Sequence, residues 1–350
     1  MRRISAALLG LALTAPVCEA SAQEISARAA EIRFGGRLHA QYSTSSVDNT
    51  QNDFFFRRVQ LTADATVTDL MEGRVQVDLS GGEAQLKDTY VRLNFSPEFR
   101  LSMGQFKRAF DIFEISSDTD LTIIERDGRV KGAGDCAGIG GICSYGRLSS
   151  KLSLGGRDQG IRINGSSGAI SYMATATNGT GINVADENDG KSYSGRLTIS
   201  ATDMLRASGQ VALHDYLDPS DETATGAAWG LDIEYGTWRE GLHVQTSVIG
   251  GENWEELDTG GNPATFLAFQ GVATLYLPVT SERFAAVEPL FRVSIADPNT
   301  DMDVDGGVVY TPGFMVYVSG RNMIGVNVDI YSPRTGDTEF GFKLQSFLHF

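Results

Sequence analysis

The sequence predicts an all-β fold, a 16-stranded antiparallel transmembrane β-barrel, and three observations point to it. Segments of alternating apolar and polar residues recur along the chain. The connections between them are alternately short and long. Residues 340–350, FGFKLQSFLHF, form one more alternating segment that closes on an aromatic ring. A period of two places successive side chains on opposite faces of a pleated strand.

The first 22 residues read as an export signal. Arg2 and Arg3 precede the apolar run Ile4 to Ala15, and Ala20-Ser21-Ala22 supplies a small-residue cleavage site. The expected domains are therefore a signal peptide over 1–22 and an outer-membrane barrel over 23–350. The apolar run is too short to span a bilayer, and no later stretch reaches 18 consecutive apolar residues. A chain with apolar residues on one face of each strand reads as mildly hydrophilic overall, as this one does.

The expected strands run in order over 31–43, 54–68, 73–80, 85–95, 99–107, 158–165, 169–178, 191–200, 204–216, 226–236, 241–250, 265–277, 284–295, 306–318, 322–331 and 337–350. The second is typical: Val59, Leu61, Ala63, Ala65 and Val67 alternate with Arg58, Gln60, Thr62, Asp64 and Thr66. Leu231, Ile233 and Tyr235 alternate in the same way with Asp232 and Glu234. The strands at 169–178 and 306–318 alternate poorly.

Short turns are expected at 69–72, 96–98, 166–168, 201–203, 236–240 and 319–321. Longer loops fall between them at 44–53, 108–157, 179–190, 217–225, 251–264 and 296–305. Short turns on one rim and long loops on the other are the pattern of an outer-membrane barrel. An even strand count returns Phe350 to the short-turn, periplasmic rim, where the last strand is expected to close against residues 32–42. Aromatic residues near strand ends, Phe54, Phe55, Tyr90, Phe95, Tyr193, Tyr235, Trp238 and Tyr276, are expected in interfacial girdles.

A net charge of -15 argues against nucleic acid as a partner. The acids concentrate in the long loops, as solvated surface or as bridges through divalent cations to lipopolysaccharide. Asp301-x-Asp303-x-Asp305-Gly306 begins like a calcium loop, but its twelfth position is Pro312 rather than a bidentate Glu. Removing the leader takes Cys18 and leaves Cys136 and Cys143, which could pair in an oxidising compartment or remain two loop thiols. The histidines His39, His214, His243 and His349 stand in no hydrolase or zinc motif, so the chain is not read as an enzyme and no cofactor or metal is expected.

The densest motif signal is residues 86–127, LKDTYVRLNFSPEFRLSMGQFKRAFDIFEISSDTDLTIIERD, preceded by Phe56-Arg57-Arg58-Val59. Leu86-Lys87-Asp88-x-Tyr90, Gly104-Gln105-Phe106-Lys107, Phe110, Ser117-x-x-Asp120-Leu121-Thr122 and Glu125-Arg126 follow one another in order. This resembles the phosphate-selective porin O and P family, strongly over about 70 residues and elsewhere only in strand rhythm. Ala109 stands where the family's pattern has Pro. The resemblance implies a 16-stranded porin of the bacterial outer membrane, usually trimeric, whose third extracellular loop folds inward. Here that loop is 108–157, with a glycine-rich elaboration over 128–150 that holds the cysteine pair. The implied partners are outer-membrane lipid and lipopolysaccharide, small polar or anionic solutes and two further copies of the chain. A non-channel barrel acting as an adhesin or structural protein is the alternative.

With the apolar parity assigned to lipid, the opposite parity aims Arg33, Arg37, Arg58, Arg74, Arg92, Arg100, Arg162, Arg196 and Arg206 into the lumen. A charge at the lipid midplane would cost roughly 2–4 kcal/mol. The loop would bring Asp111, Glu114, Asp118, Asp120, Glu125, Arg126 and Asp127 opposite this wall. Two readings stay open: a basic ladder that favours anions across a transverse field, or arginines neutralised by Asp64, Asp78 and Asp88. Six lysines in the whole chain fit phosphate specificity poorly, because the family's phosphate members resemble Lys-rich pores.

Overall fold

The computed structural model describes residues 31–121, 123–128, 130–133, 143–186, 188–258 and 260–350. The expected signal peptide and Cys136 lie outside the described residues. Sixteen strands form the wall: β1 (Glu31–Ser45), β2 (Asp53–Thr66), β3 (Met71–Asp78), β4 (Gln85–Ser96), β5 (Phe99–Lys107), β6 (Arg157–Ser167), β7 (Ile170–Thr177) and β8 (Ser192–Ser200). They continue as β9 (Leu205–Leu217), β10 (Thr223–Thr237), β11 (Glu240–Leu257), β12 (Pro263–Pro278), β13 (Ala286–Asp297), β14 (Gly307–Ser319), β15 (Asn322–Pro333) and β16 (Glu339–His349). Each pairs antiparallel with its sequence neighbours, and β1 pairs with β16 to close the barrel. All sixteen expected strands are present, including the two that alternate poorly.

Alternation decides the faces. In β10, Leu231 and Ile233 are exposed on the outside while Asp232 is buried within. In β16, Phe340, Phe342, Leu344 and Leu348 are exposed and Gly341, Lys343, Gln345 and Phe347 are buried. The outer face is the lipid-facing one, since a closed barrel leaves no unpaired backbone edge to desolvate.

The closing seam departs from expectation by several residues. β16 pairs with Arg37 to Ser45, which overlaps the expected 32–42 over Arg37 to Tyr42, and Phe350 exchanges backbone hydrogen bonds with Gly36 at 2.9 and 3.2 Å. Phe350's ring lies over Gly36, where a Cβ would come within 2.5 Å of it. Gly36 is thus the position that admits the terminal ring. The strip 31–35 extends past the seam and pairs only with β2.

The later long loops are shorter than expected. β10 begins at Thr223, β11 runs on to Leu257 and β12 begins at Pro263. The expected loops 217–225, 251–264 and 296–305 reduce to 218–222, 258–262 and 298–306. Polar and acidic residues in these segments, such as Glu252, Glu255 and Glu256, hid the two-residue period of the strand. The aromatic expectation also needs correction at four positions. Phe54, Phe95, Tyr193 and Tyr235 face outward, but Tyr90 carries Arg92 and Arg162 on its ring, Phe55 lines an internal cavity, Tyr276 packs on the buried Tyr317 and Trp238 on the buried His243.

Candidate pore and its loop

The connection between β5 and β6 contains two short helices, α1 (Ile112–Ile115) and α2 (Tyr145–Lys151), and is held against lumen-facing side chains. On the way down, Ala109 N donates to Ser194 Oγ of β8 at 2.9 Å and Asp111 N to Gln210 Oε1 of β9 at 2.8 Å. Lys107 Nζ donates to the carbonyls of Glu114 and Ser116. The lowest point is residues 119–120. Arg239, in the β10–β11 turn, donates to Thr119 O at 3.1 Å, and Asp120 lies 3.4 Å from both Arg239 and Arg321 of the β14–β15 turn. The loop therefore reaches the short-turn rim.

It returns along the opposite wall. Ile124 N donates to Asn327 Oδ1 of β15 at 2.7 Å, and the fully buried Arg292 of β13 donates to Glu125 O and Arg126 O at 2.7 and 3.0 Å. Tyr145 N donates to Ser294 Oγ at 3.0 Å. Asp111 ties the two legs together, since its carboxylate accepts from Tyr145 Oη at 2.8 Å and Ser149 Oγ at 2.6 Å. Phe110, Phe113, Ile123, Ile124, Leu148 and Leu152 are all but fully buried. Each such side chain contributes about 1.5–3 kcal/mol, so the loop is a packed inner layer rather than a loose strap. Glycine is needed where this layer meets itself: a Cβ on Gly146 would lie 2.4 Å from Arg126 O.

The acids expected to face the basic wall across open water are in contact with it. Asp118 is 9% exposed and lies 3.0 Å from Arg58 and 3.7 Å from Arg37, with Arg126 as a third partner. Glu125 takes both arms of Arg57 at 2.6 and 3.0 Å. Glu114 stands 4.0 Å from Arg126. Asp127 uses its backbone carbonyl to accept from Ser144 Oγ. Burial pushes the Asp118 carboxyl up, but Arg126 and Arg58 outweigh it and hold it well below the usual range. Burial pushes the Asp111 carboxyl up to about 6, and Glu114 adds repulsion.

The ladder arginines are mostly paired as well. Arg33 meets Glu31 at 2.6 Å, Arg74 meets Asp64 at 2.6 Å, Arg92 meets Glu72 at 2.8 Å and Arg206 meets Glu234 at 2.9 Å. Arg196 is bound by Asp232. Of the three neutralising carboxylates expected, Asp64 does hold a ladder arginine. Asp88 holds Arg157 instead, at 2.9 Å, and Asp78 accepts from Gln60 at 2.7 Å.

Arg57 was not among the expected pore residues because strict alternation puts it on the lipid face. A register shift between His39 and Ala40 lets β1 face Arg58 and then Phe56, so Arg57 also turns inward. The adjacent arginines in Phe56-Arg57-Arg58 were the available signal. Cys143 is in a disulfide; its expected partner, Cys136, lies outside the described residues. Among the described residues, no group of three or more metal-type side chains is assembled, at Asp301–Asp305 or elsewhere.

Open space remains along β1 to β5. A cavity of about 410 Å³ near the long-loop rim is lined by Gln41, Ser43, Phe55, Arg57, Glu125 and Lys343, among others. Nearer the short-turn rim lie one of about 220 Å³ beside Asp64, Arg74 and Tyr90 and one of about 410 Å³ beside Arg92, Asn94 and Arg100.

The barrel is similar to solved outer-membrane proteins at low identity. The loop L8 deletion mutant of OmpT from Vibrio cholerae matches with a TM-score of 0.64 and 13% identity, over 91% of this chain and 99% of that one. The channel DcaP of Acinetobacter baumannii matches at 0.62 and 14%, over 92% and 99%. Salmonella typhi OmpF, solved with daunomycin, matches at 0.62 and 10%, over 92% and 98%. No curated protein matches the sequence. The family profile named phosphate-selective porin O and P matches residues 32–252, most of the wall and the whole inner loop. The chain belongs to that family, and it is a channel for small solutes in the bacterial outer membrane.

Proposed function

We propose that this channel lets small hydrophilic solutes diffuse passively, with a preference for anions. One observation carries the preference: the acids of the inner loop are engaged in contacts with arginines or hydroxyls, while the remaining space runs along the arginine-rich strands β1 to β5. Basic side chains along a narrow aqueous path favour anions. The scarcity of lysine weighs against a dedicated phosphate pore. Family and fold point to a channel rather than an enzyme.

In this reading residues 1–22 direct export and are removed, and the exposed apolar belt contacts outer-membrane lipid and lipopolysaccharide. Three copies assemble, as in OmpT of Vibrio cholerae, which has been solved in a trimer form. The test is the zero-current potential of the purified protein in a planar bilayer under a potassium chloride gradient. A potential of the anion-selective sign supports the proposal, and one of the cation-selective sign removes the anion preference.

A further inference from the structure

We infer that selectivity is set not by the whole arginine ladder but by three cations on β4 to β6: Lys87, Arg162 and Arg100. This rests on the anion preference proposed above and assigns it to residues. Five of the nine ladder arginines each have a carboxylate within 4.0 Å, and Arg37 and Arg58 share the buried Asp118 with the loop's own Arg126. Arg100 and Arg162 have none among the described residues, and Lys87 reaches only Gln85 Oε1 at 3.4 Å. A closed ion pair presents a dipole to a passing solute, whereas a lone cation presents its full charge. At lumen distances the lone cation dominates.

The three stand at successive heights. Lys87 is near the long-loop end of β4, Arg162 midway along β6 and Arg100 near the short-turn end of β5. Register places Arg162 opposite Ser102 and Arg100 opposite Asn164, so the two arginines are diagonal neighbours on adjacent strands. Arg162 is the most buried of the three, at 9% exposure. Its guanidinium lies 5.1 Å from the Tyr90 ring centre and 4.6 Å from that of Phe106. Aromatic faces stabilise a buried cation without cancelling its charge.

The carboxylates on the neighbouring strands are otherwise engaged. Asp88 holds Arg157, Asp78 takes Gln60 and the Ser80 N–H, and Asp158 takes the N–H groups of Gln159 and Gly179. The ligand class implied is a small hydrated anion stepping between three fixed positive charges, with Ser102 and Asn164 offering polar contacts beside them.

The experiment is the chloride-to-potassium permeability ratio of the full-length protein in planar bilayers. Lys87→Gln/Arg100→Gln/Arg162→Gln should lower it about fivefold or more, and Arg162→Lys should keep it near the parent's. Asp64→Asn/Arg74→Gln, which deletes a closed pair, should shift it far less. If Arg162→Gln prevents folding, judged by heat-modifiable gel migration, Lys87→Gln/Arg100→Gln should still lower the ratio about two- to threefold. A parent ratio that survives loss of the lone cations, or moves as much when the pair is deleted, overturns the assignment and leaves the anion preference standing. A cation-selective parent removes the anion preference itself.

Discussion

Arg58 Nε of β2 lies 3.0 Å from Asp118 Oδ2 of the inner loop, with both side chains less than one-tenth exposed. Arg37 and Arg126 share the same carboxylate. The wall and the loop are thereby joined at one buried acid. Removing one partner of such a group leaves uncompensated charge and costs about 3–5 kcal/mol. Asp118→Asn should lower the denaturant midpoint by a corresponding amount. It should also raise single-channel conductance and its noise as the loop loosens. An unchanged midpoint with unchanged conductance would show that the cluster does not hold the loop.

Asp120 should behave differently. It meets Arg239 and Arg321 at 3.4 Å, but all three side chains are partly solvated. Exposed pairs of this kind are worth about 0–1 kcal/mol. Asp120→Asn is expected to leave global stability almost unchanged and to affect only the loop tip. Chemical unfolding of this variant beside Asp118→Asn separates the two sites.

Asp111 supplies a pH dependence. Burial and Glu114 raise its carboxyl to about 6 from an ordinary value of 3.8. The folded state therefore holds the proton more tightly than the unfolded state does. Its stabilising contribution is complete below about 3.8 and is lost as pH rises through about 6. Burial favours the protonated form, against the hydrogen bonds that Tyr145 and Ser149 donate to the carboxylate. Conductance noise should fall as pH is lowered from 7 to 5, and Asp111→Asn should flatten that change. A pH response identical to the parent's in Asp111→Asn would exclude this residue as its source.

Gly36 tests the seam. A side chain there would meet the Phe350 ring at 2.5 Å and the Gln60 carbonyl at 3.0 Å. Gly36→Val must displace the ring, with an overpacking cost of about 1–3 kcal/mol. The temperature at which the folded gel band converts to the unfolded one should drop. Gly81→Ala, at a position with open space around it, should not lower it.

The barrel was legible because lipid outside and polar lumen inside force a two-residue alternation in every strand. That constraint is local, so strand number, order and the short-turn rim could all be read from the residues. It fails where the environment stops being two-faced. Trp254 and Glu255 lie in the last residues of β11, and their acidic neighbourhood resembled a loop. A register slip is equally invisible: the shift beside Ala40 turned Arg57 inward against its parity. The inner loop's identity came from its motifs, but its partners did not. Asp118 with Arg58, or Ile124 with Asn327, join positions 60 and 203 residues apart, and only the closed barrel brings them together.

The most direct test of the central claim is single-channel recording of the purified protein in planar bilayers. A barrel with residual space beside a packed loop should insert with discrete, reproducible conductance steps, and those steps should enlarge in Asp118→Asn. Insertion without conductance steps, in the parent and in Asp118→Asn alike, would contradict the channel reading while leaving the barrel itself in place.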